Sequence, residues 1–145
     1  VARFVAARHG VSPERLLDPA ARPQALAVVR EVCAHARTHL GRAREYTLAW
    51  PAREGEAIRR FCAVPLALAL ATLREVELGE QSLRQGRTPK VSREEVAAVV
   101  AEAHRAACSD EALGRLFARY EAPEPQLEAA PSLAPSPAVR EDRPQ

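Results

Sequence analysis

Arg60-Phe61-Cys62-Ala63-Val64-Pro65-Leu66-Ala67-Leu68-Ala69-Leu70-Ala71-Thr72-Leu73 is the stretch whose reading decides the fold. From Phe61 to Leu73 it is apolar on nearly all sides, with Thr72 the exception, and it sits inside a longer segment, Glu56 to Leu78, that has charged ends. A helix apolar around its whole circumference has to be surrounded by other elements, so this one is expected at the centre of the molecule. Pro65 lacks an amide donor and crowds the carbonyl four residues before it, at a cost of about 3 kcal/mol in a helix interior, which predicts a kink. The uninterrupted run Ala63 to Leu73 is too short to cross a bilayer as a helix.

Aromatic residues make up only 4% of the 145-residue chain, so the core has to be built from Ala, Val and Leu, which favours closely packed helices. The expected fold class is all-α, with one helical domain over residues 1–122 and a disordered Pro/Ala-rich tail over 123–145, where six of the twelve prolines fall. Upstream of the central helix, Leu26, Val29, Cys33, Ala36 and Leu40 recur at spacings of three and four. They predict a long helix starting near Pro23, weakening at Gly41 into a bend or break, and ending at Pro51. Before it, Ala2 to Arg8 reads as the last turns of a helix stopped by Gly10, and Ser12-Pro13 as the start of a short turn faced by Leu16 and Leu17. A chain without Met that opens at Val1 inside such an element suggests a missing N-terminal portion, or else a GTG start read as Val.

Downstream, 79–89 is polar and reads as a loop, after which Ser92-Arg93-Glu94-Glu95 forms a Ser-x-x-Glu capping box. Val96, Val99, Val100, Ala103 and Ala107 carry the period of the helix it starts. Ser109 offers a further cap for a short amphipathic helix faced by Leu113, Leu116, Phe117 and Tyr120.

Charge excludes some functions. The formal net charge is +2, the only lysine is Lys90, and arginines alternate with glutamates, so nothing resembles a nucleic-acid surface. Cys33, Cys62 and Cys108 are odd in number and unpaired by spacing, which speaks against a disulfide framework and for a cytoplasmic protein, with peripheral membrane contact left open. Cys62 reads as a packed core thiol. His35 and His39 are one turn apart, but no acid in the sequence pattern completes a metal site, and they read as structural histidines; no metal is expected on this chain. There is no phosphate-binding glycine loop, nucleophile elbow or dinucleotide fingerprint. The three aspartates, Asp18, Asp110 and Asp142, are never spaced to share a Mg²⁺ ion with another acid on a helix.

The segment Phe61-Cys62-Ala63-Val64-Pro65 through Ala69-Leu70-Ala71-Thr72-Leu73 resembles the Phe-Cys-Ala-x-Pro-x-x-x-Ala-x-Ala-Thr-Leu segment of squalene synthases, within the squalene/phytoene synthase family. Lys90-Val91-Ser92-Arg93 resembles the Lys-Ile-x-Arg that follows it, and Tyr46 falls where the preceding helix carries a tyrosine. The resemblance extends over roughly Val1 to Tyr120 and implies the C-terminal helices of an isoprenoid-synthase-type fold surrounding an apolar cavity. It further implies a transferase that joins two prenyl diphosphates, here farnesyl diphosphate, head to head through a cyclopropyl intermediate, with Mg²⁺ and NADPH serving the complete enzyme. Phe61 would be the catalytic aromatic beside the carbocation, in a dry pocket that offers no nucleophile. Tyr46, Pro65, Leu66, Ala69 and Thr72 would shape the wall for the prenyl chain, and Lys90 and Arg93 would bind the phosphates of the nicotinamide cofactor. Two departures stand out: Leu66 replaces a residue that is often polar in squalene synthases, and the family's two aspartate-rich motifs have no counterpart. The chain is therefore expected to be inactive alone and to need an N-terminal half. The rival reading is a non-enzymatic helical module that binds a protein or a lipid.

Overall fold

The computed structural model describes residues 2–78, 83 and 88–121; most of the loop read at 79–89 and the whole tail at 123–145 lie outside them. Among the described residues the chain forms five α-helices and no strand, in keeping with the all-α reading. The helices are α1 (Ala2–Arg8), α2 (Arg22–Ala49), α3 (Glu56–Leu78), α4 (Arg93–Ala106) and α5 (Asp110–Ala118), and two single 3₁₀ turns, Pro13–Arg15 and Pro19–Ala21, join α1 to α2.

Local chemistry sets most of the ends. Gly10, at φ +67°, reverses the chain after α1, and the amide of Val11 reaches back to the carbonyl of Ala6 (3.1 Å). Ser12 stands at the next N-cap position, yet its side chain accepts no backbone amide there. Asp18 does cap the following turn, accepting from the amide of Ala20 (2.9 Å). Ser92 accepts from the amide of Glu95 (3.1 Å) and Ser109 from that of Ala112 (3.2 Å), as the two downstream capping signals require.

Helix α2 departs from the reading in two ways. It runs through Gly41 without interruption, because one glycine's helix penalty of about 1 kcal/mol is small beside the hydrogen-bond ladder of 28 residues. Its most buried residues are Ala25, Val28, Cys33 and Thr47, while Leu26, Val29, Ala36 and Leu40 are half-buried. The small residues turn inward where neighbours come close, which rotates the buried face by about one residue from the Leu/Val spacing. Helix α3 occupies its expected bounds and continues through Pro65.

The central placement of α3 follows from its packing, with α2 on one flank, α4 on the other and α5 also in contact. The main core joins Ala63, Leu66 and Leu70 of α3 to Val99 and Ala103 of α4 and to Leu113, Leu116 and Phe117 of α5, with Tyr120 beside them. A smaller core of Val5, Ala6, Val11, Ala21 and Val28 seats α1 on α2.

Among the described residues one buried side chain is charged. The Arg59 side chain is 0% exposed; its guanidinium donates to the Asp110 carboxylate (2.5 Å) at the start of α5 and to the Trp50 carbonyl (3.2 Å) at the end of α2, while its Nε has no partner. Gly55, four residues earlier, has no room for a side chain, since a Cβ would lie 2.8 Å from both the Pro51 carbonyl oxygen and the Trp50 Cβ.

Two predictions follow from this packing. Removing the anion from a buried cation is strongly destabilising, whereas an apolar isostere of the cation is tolerated. Asp110→Ala should therefore lower unfolding free energy by about 2–3 kcal/mol, moderated because Asp110 itself stays 73% exposed, and Arg59→Met should cost less; urea titration of both variants checks the order. Burial, with Glu77 nearby, pushes the Cys33 thiol above its ordinary 9.0, and burial, with Glu95 nearby, pushes the Tyr120 phenol above its ordinary 10.0. The folded state then keeps protons that the unfolded chain has released. Stability should be intact below pH 9 and fall as pH rises from there, measured as urea midpoints at pH 8, 9 and 10.

Candidate functional site

Helices α2 and α3 diverge enough along one flank to leave an apolar groove of about 330 Å³. From α2 come Leu40, Ala43, Tyr46 and Thr47, and from α3 Phe61, Cys62, Pro65, Leu66 and Ala69. These positions follow the three- and four-residue spacing that puts side chains on one helical face. The small side chains of Ala43 and Ala69 leave the groove open, and Pro65 takes a place on its wall.

The rim is aromatic. Phe61 is 80% exposed and Tyr46 56% exposed, and the Tyr46 ring meets Trp50 edge to face, with centroids 6.1 Å apart and planes at 80°. The wall offers little polar chemistry. Thr47 is buried, and its hydroxyl donates to the Ala43 carbonyl (2.7 Å) within its own helix.

Of the residues singled out in the sequence, Tyr46, Phe61, Pro65, Leu66 and Ala69 come together here. Phe61 stands at the open rim, not inside an enclosed pocket. Thr72 is exposed, donates to the Leu68 carbonyl (2.8 Å) and is not part of the lining. Lys90 and Arg93 are exposed at the start of α4 and do not line the groove either.

Leu40, Ala43, Thr47 and Cys62 are groove residues that the sequence reading did not assign to a site. Cys62 is half-buried with its thiol on the groove, which corrects its reading as a packed core cysteine; the fully packed thiol is Cys33, and Cys108 is exposed. Helical spacing holds the signal, since Cys62 lies three residues before Pro65 and seven before Ala69.

Among the described residues no group of three or more His, Cys, Asp and Glu side chains is arranged to hold a metal ion. His35 has an acid nearby that the sequence reading did not name, though it completes no metal site. Glu31, one turn before it, lies 3.7 Å from its Nε2, receives His9 Nε2 at 2.8 Å and also pairs with Arg8. With an arginine on the carboxylate, this cluster serves to fasten α1 to α2.

A model of the squalene/phytoene synthase family matches residues 3–95. The match takes in α1, α2, α3 and the first residues of α4, and with them every groove residue; it ends short of the Tyr120 limit expected from the resemblance. Comparison with curated proteins and with solved structures returned no match.

The groove geometry separates its rim from its floor. Phe61→Ser should leave unfolding free energy within about 0.5 kcal/mol of the parent chain, because its ring is already in water, and Tyr46→Ser should cost about 0.5–1.5 kcal/mol through the lost contact with Trp50. Leu66→Ala, at a position 4% exposed, should cost about 2–4 kcal/mol through lost burial and the cavity left behind. Urea unfolding of the three variants tests the assignment.

Proposed function

This chain belongs to the squalene/phytoene synthase family, and on that premise we propose that its α2–α3 groove holds the prenyl chain of farnesyl diphosphate during head-to-head coupling. The observation that carries the reading is the convergence of five of the eight sequence-assigned site residues on one apolar groove. A prenyl chain is a branched hydrocarbon, and it gains from a wall made mostly of Leu, Ala, Pro and aromatic side chains.

In this reading each residue has a defined task. Phe61 and Tyr46 flank the entrance and present π-faces to a developing allylic cation. Leu40, Leu66 and Ala69 hold the chain, and the Thr47 hydroxyl keeps its hydrogen on its own helix, on the Ala43 carbonyl. Leu66, buried and apolar, favours hydrocarbon where a polar residue would favour a hydrated group.

Mg²⁺, when bound with the diphosphate, stabilises the leaving group. The groove supplies no carboxylate to hold it, and Asp110 is committed to Arg59, so the residues described do not fit the ion. We therefore read the chain as inactive alone in the first condensation, with the aspartate-bearing half supplied by other helices. Lys90 and Arg93, exposed beside the amino end of α4, would take cofactor phosphates if NADPH serves the reductive step. Among the described residues no helix is long and apolar enough to cross a membrane, and a cytoplasmic protein in peripheral contact with one accords with a lipid substrate.

The open rim favours a second reading, a lipid-binding module that does no chemistry: a ring 80% exposed gives a ligand easy entry but does not by itself exclude water.

Two measurements test these readings. Full chain incubated with farnesyl diphosphate, Mg²⁺ and NADPH should give no C30 hydrocarbon, and product should form once aspartate-rich N-terminal helices are added; C30 product from the chain alone would sink the inactivity claim. In thiol labelling of the native chain, Cys108 should react fast, Cys62 more slowly and Cys33 only on unfolding. Farnesyl diphosphate should protect Cys62 and leave Cys108 unchanged. Protection without product in any combination would favour the lipid-binding module, and absence of protection would remove the prenyl chain from the groove.

A further inference from the structure

The other flank of the α2–α3 seam carries a second cavity, of about 270 Å³, lined by Arg37, Leu40, Gly41, Arg44, Leu70 and Glu121. Leu40 is the one residue it shares with the prenyl groove. On a helix that turns about 100° per residue, Gly41 and Tyr46 point some 140° apart, so the two cavities open in different directions.

Its chemistry also differs. The floor is leucine and a bare stretch of helix backbone, and two arginines, seven residues apart on one face of α2, stand over it. Arg37 donates through Nε to Glu77 (2.8 Å) and reaches the Tyr120 carbonyl at a long 3.4 Å. Arg44 pairs through a single nitrogen with Glu121, whose side chain is 47% exposed. A guanidinium has five N–H donors in a planar fork, so most of Arg44's donors are unused by that contact.

Gly41 completes the picture. A glycine in a helix interior weakens the helix, and here nothing lies within 4 Å of where its Cβ would be, so no neighbour in the fold demands it. The missing side chain is what leaves the cavity wall open against the backbone.

We propose that this cavity binds an amphipathic carboxylate, an apolar chain ending in a carboxylate head. The Glu121 carboxylate marks where the head sits, on Arg44, and Leu40, Gly41 and Leu70 receive the chain. Binding exchanges one arginine–carboxylate contact for another, with Glu121 moving out to water, so Arg44 stays paired with one anion while the complex gains the ligand's negative charge. The gain lies in the apolar chain, which Glu121 cannot supply.

Titration calorimetry of the full chain with decanoate, and with decanol as the uncharged control, tests this. Saturable decanoate binding with decanol much weaker is expected. Arg44→Gln should weaken binding by about tenfold or more, the usual scale for losing a hydrogen bond to a charged group. Glu121→Gln should tighten it by removing the internal competitor. Gly41→Leu should fill the cavity and abolish binding while the thermal midpoint stays at or above that of the parent chain, since leucine is the better helix former. Absence of decanoate binding, equal affinity for decanol, or parent-like binding by both Arg44→Gln and Gly41→Leu would overturn the proposal. So would loss of binding in Phe61→Ser with Arg44→Gln unchanged, which would place the ligand in the prenyl groove; and so would self-association abolished by Gly41→Leu, which would make the cavity a contact between copies. Failure of the prenyl reading leaves this result untouched, because Arg44, Glu121 and Gly41 line the second cavity and not the first groove.

Discussion

The buried guanidinium of Arg59 is the constraint around which the other elements are arranged. Taking a charge out of water is expensive, and the expense is tolerable only if partners are held in place for it. Here they come from two corners of the molecule: the Trp50 carbonyl, where α2 ends, and the Asp110 carboxylate, where α5 begins. The unpartnered Nε is a cost the fold carries. Arg59 therefore fixes both the α2–α3 corner and the approach of α5. Gly55 admits the close turn that brings the Trp50 carbonyl into range.

The same constraint sets the groove. Two residues along a helix amount to about 200° of rotation, so an inward Arg59 obliges Phe61 to face out and leaves Ala63 facing the core again. The exposure of Phe61 is thus a consequence of register. Trp50, located by Arg59 and Gly55, in turn gives Tyr46 its edge-to-face neighbour. Both aromatic residues at the groove entrance owe their positions to a cation buried on the far side of α3.

What the sequence made legible and what it hid divide along a physical line. Ser92 and Ser109 cap helices as read, because a cap depends on residues three apart and on nothing distant. The bounds of α3 and the buried face of Leu113, Leu116, Phe117 and Tyr120 were readable from periodicity for the same reason. Gly41 misled because a local penalty was weighed without the length of the helix that absorbs it. Arg59 went unnoticed although it lies four residues before Ala63 and seven before Leu66, within the buried arc; an arginine reads as surface until the elements that satisfy it, 9 and 51 residues away, are placed. The site was legible in part: Tyr46, Phe61, Pro65, Leu66 and Ala69 share a groove, whereas Thr72 points away and Cys62 belongs to the lining.

The alternation Leu66-Ala67-Leu68-Ala69-Leu70-Ala71 shows how one helix serves three neighbours. Period two in a strand would separate the leucines from the alanines onto opposite faces, but in a helix it distributes both types around the circumference. Leu66 and Leu70 are buried; Leu66 is also part of the α2–α3 groove's wall and Leu70 of the second cavity's lining. Ala67 and Ala71, at 0% and 2% exposure, let neighbouring backbones come close, while Ala69, half-buried, leaves the groove open where a larger residue would close it. Hollow and packed flanks thus arise from a single repeating pair of residues. Which flank is which depends on what stands opposite: the main core of α4 and α5 on one side, and the aromatic and arginine side chains of α2 on the other. A substitution such as Ala69→Leu would then close the groove without disturbing the core, whereas Ala67→Leu would overpack the core and leave the groove as it is.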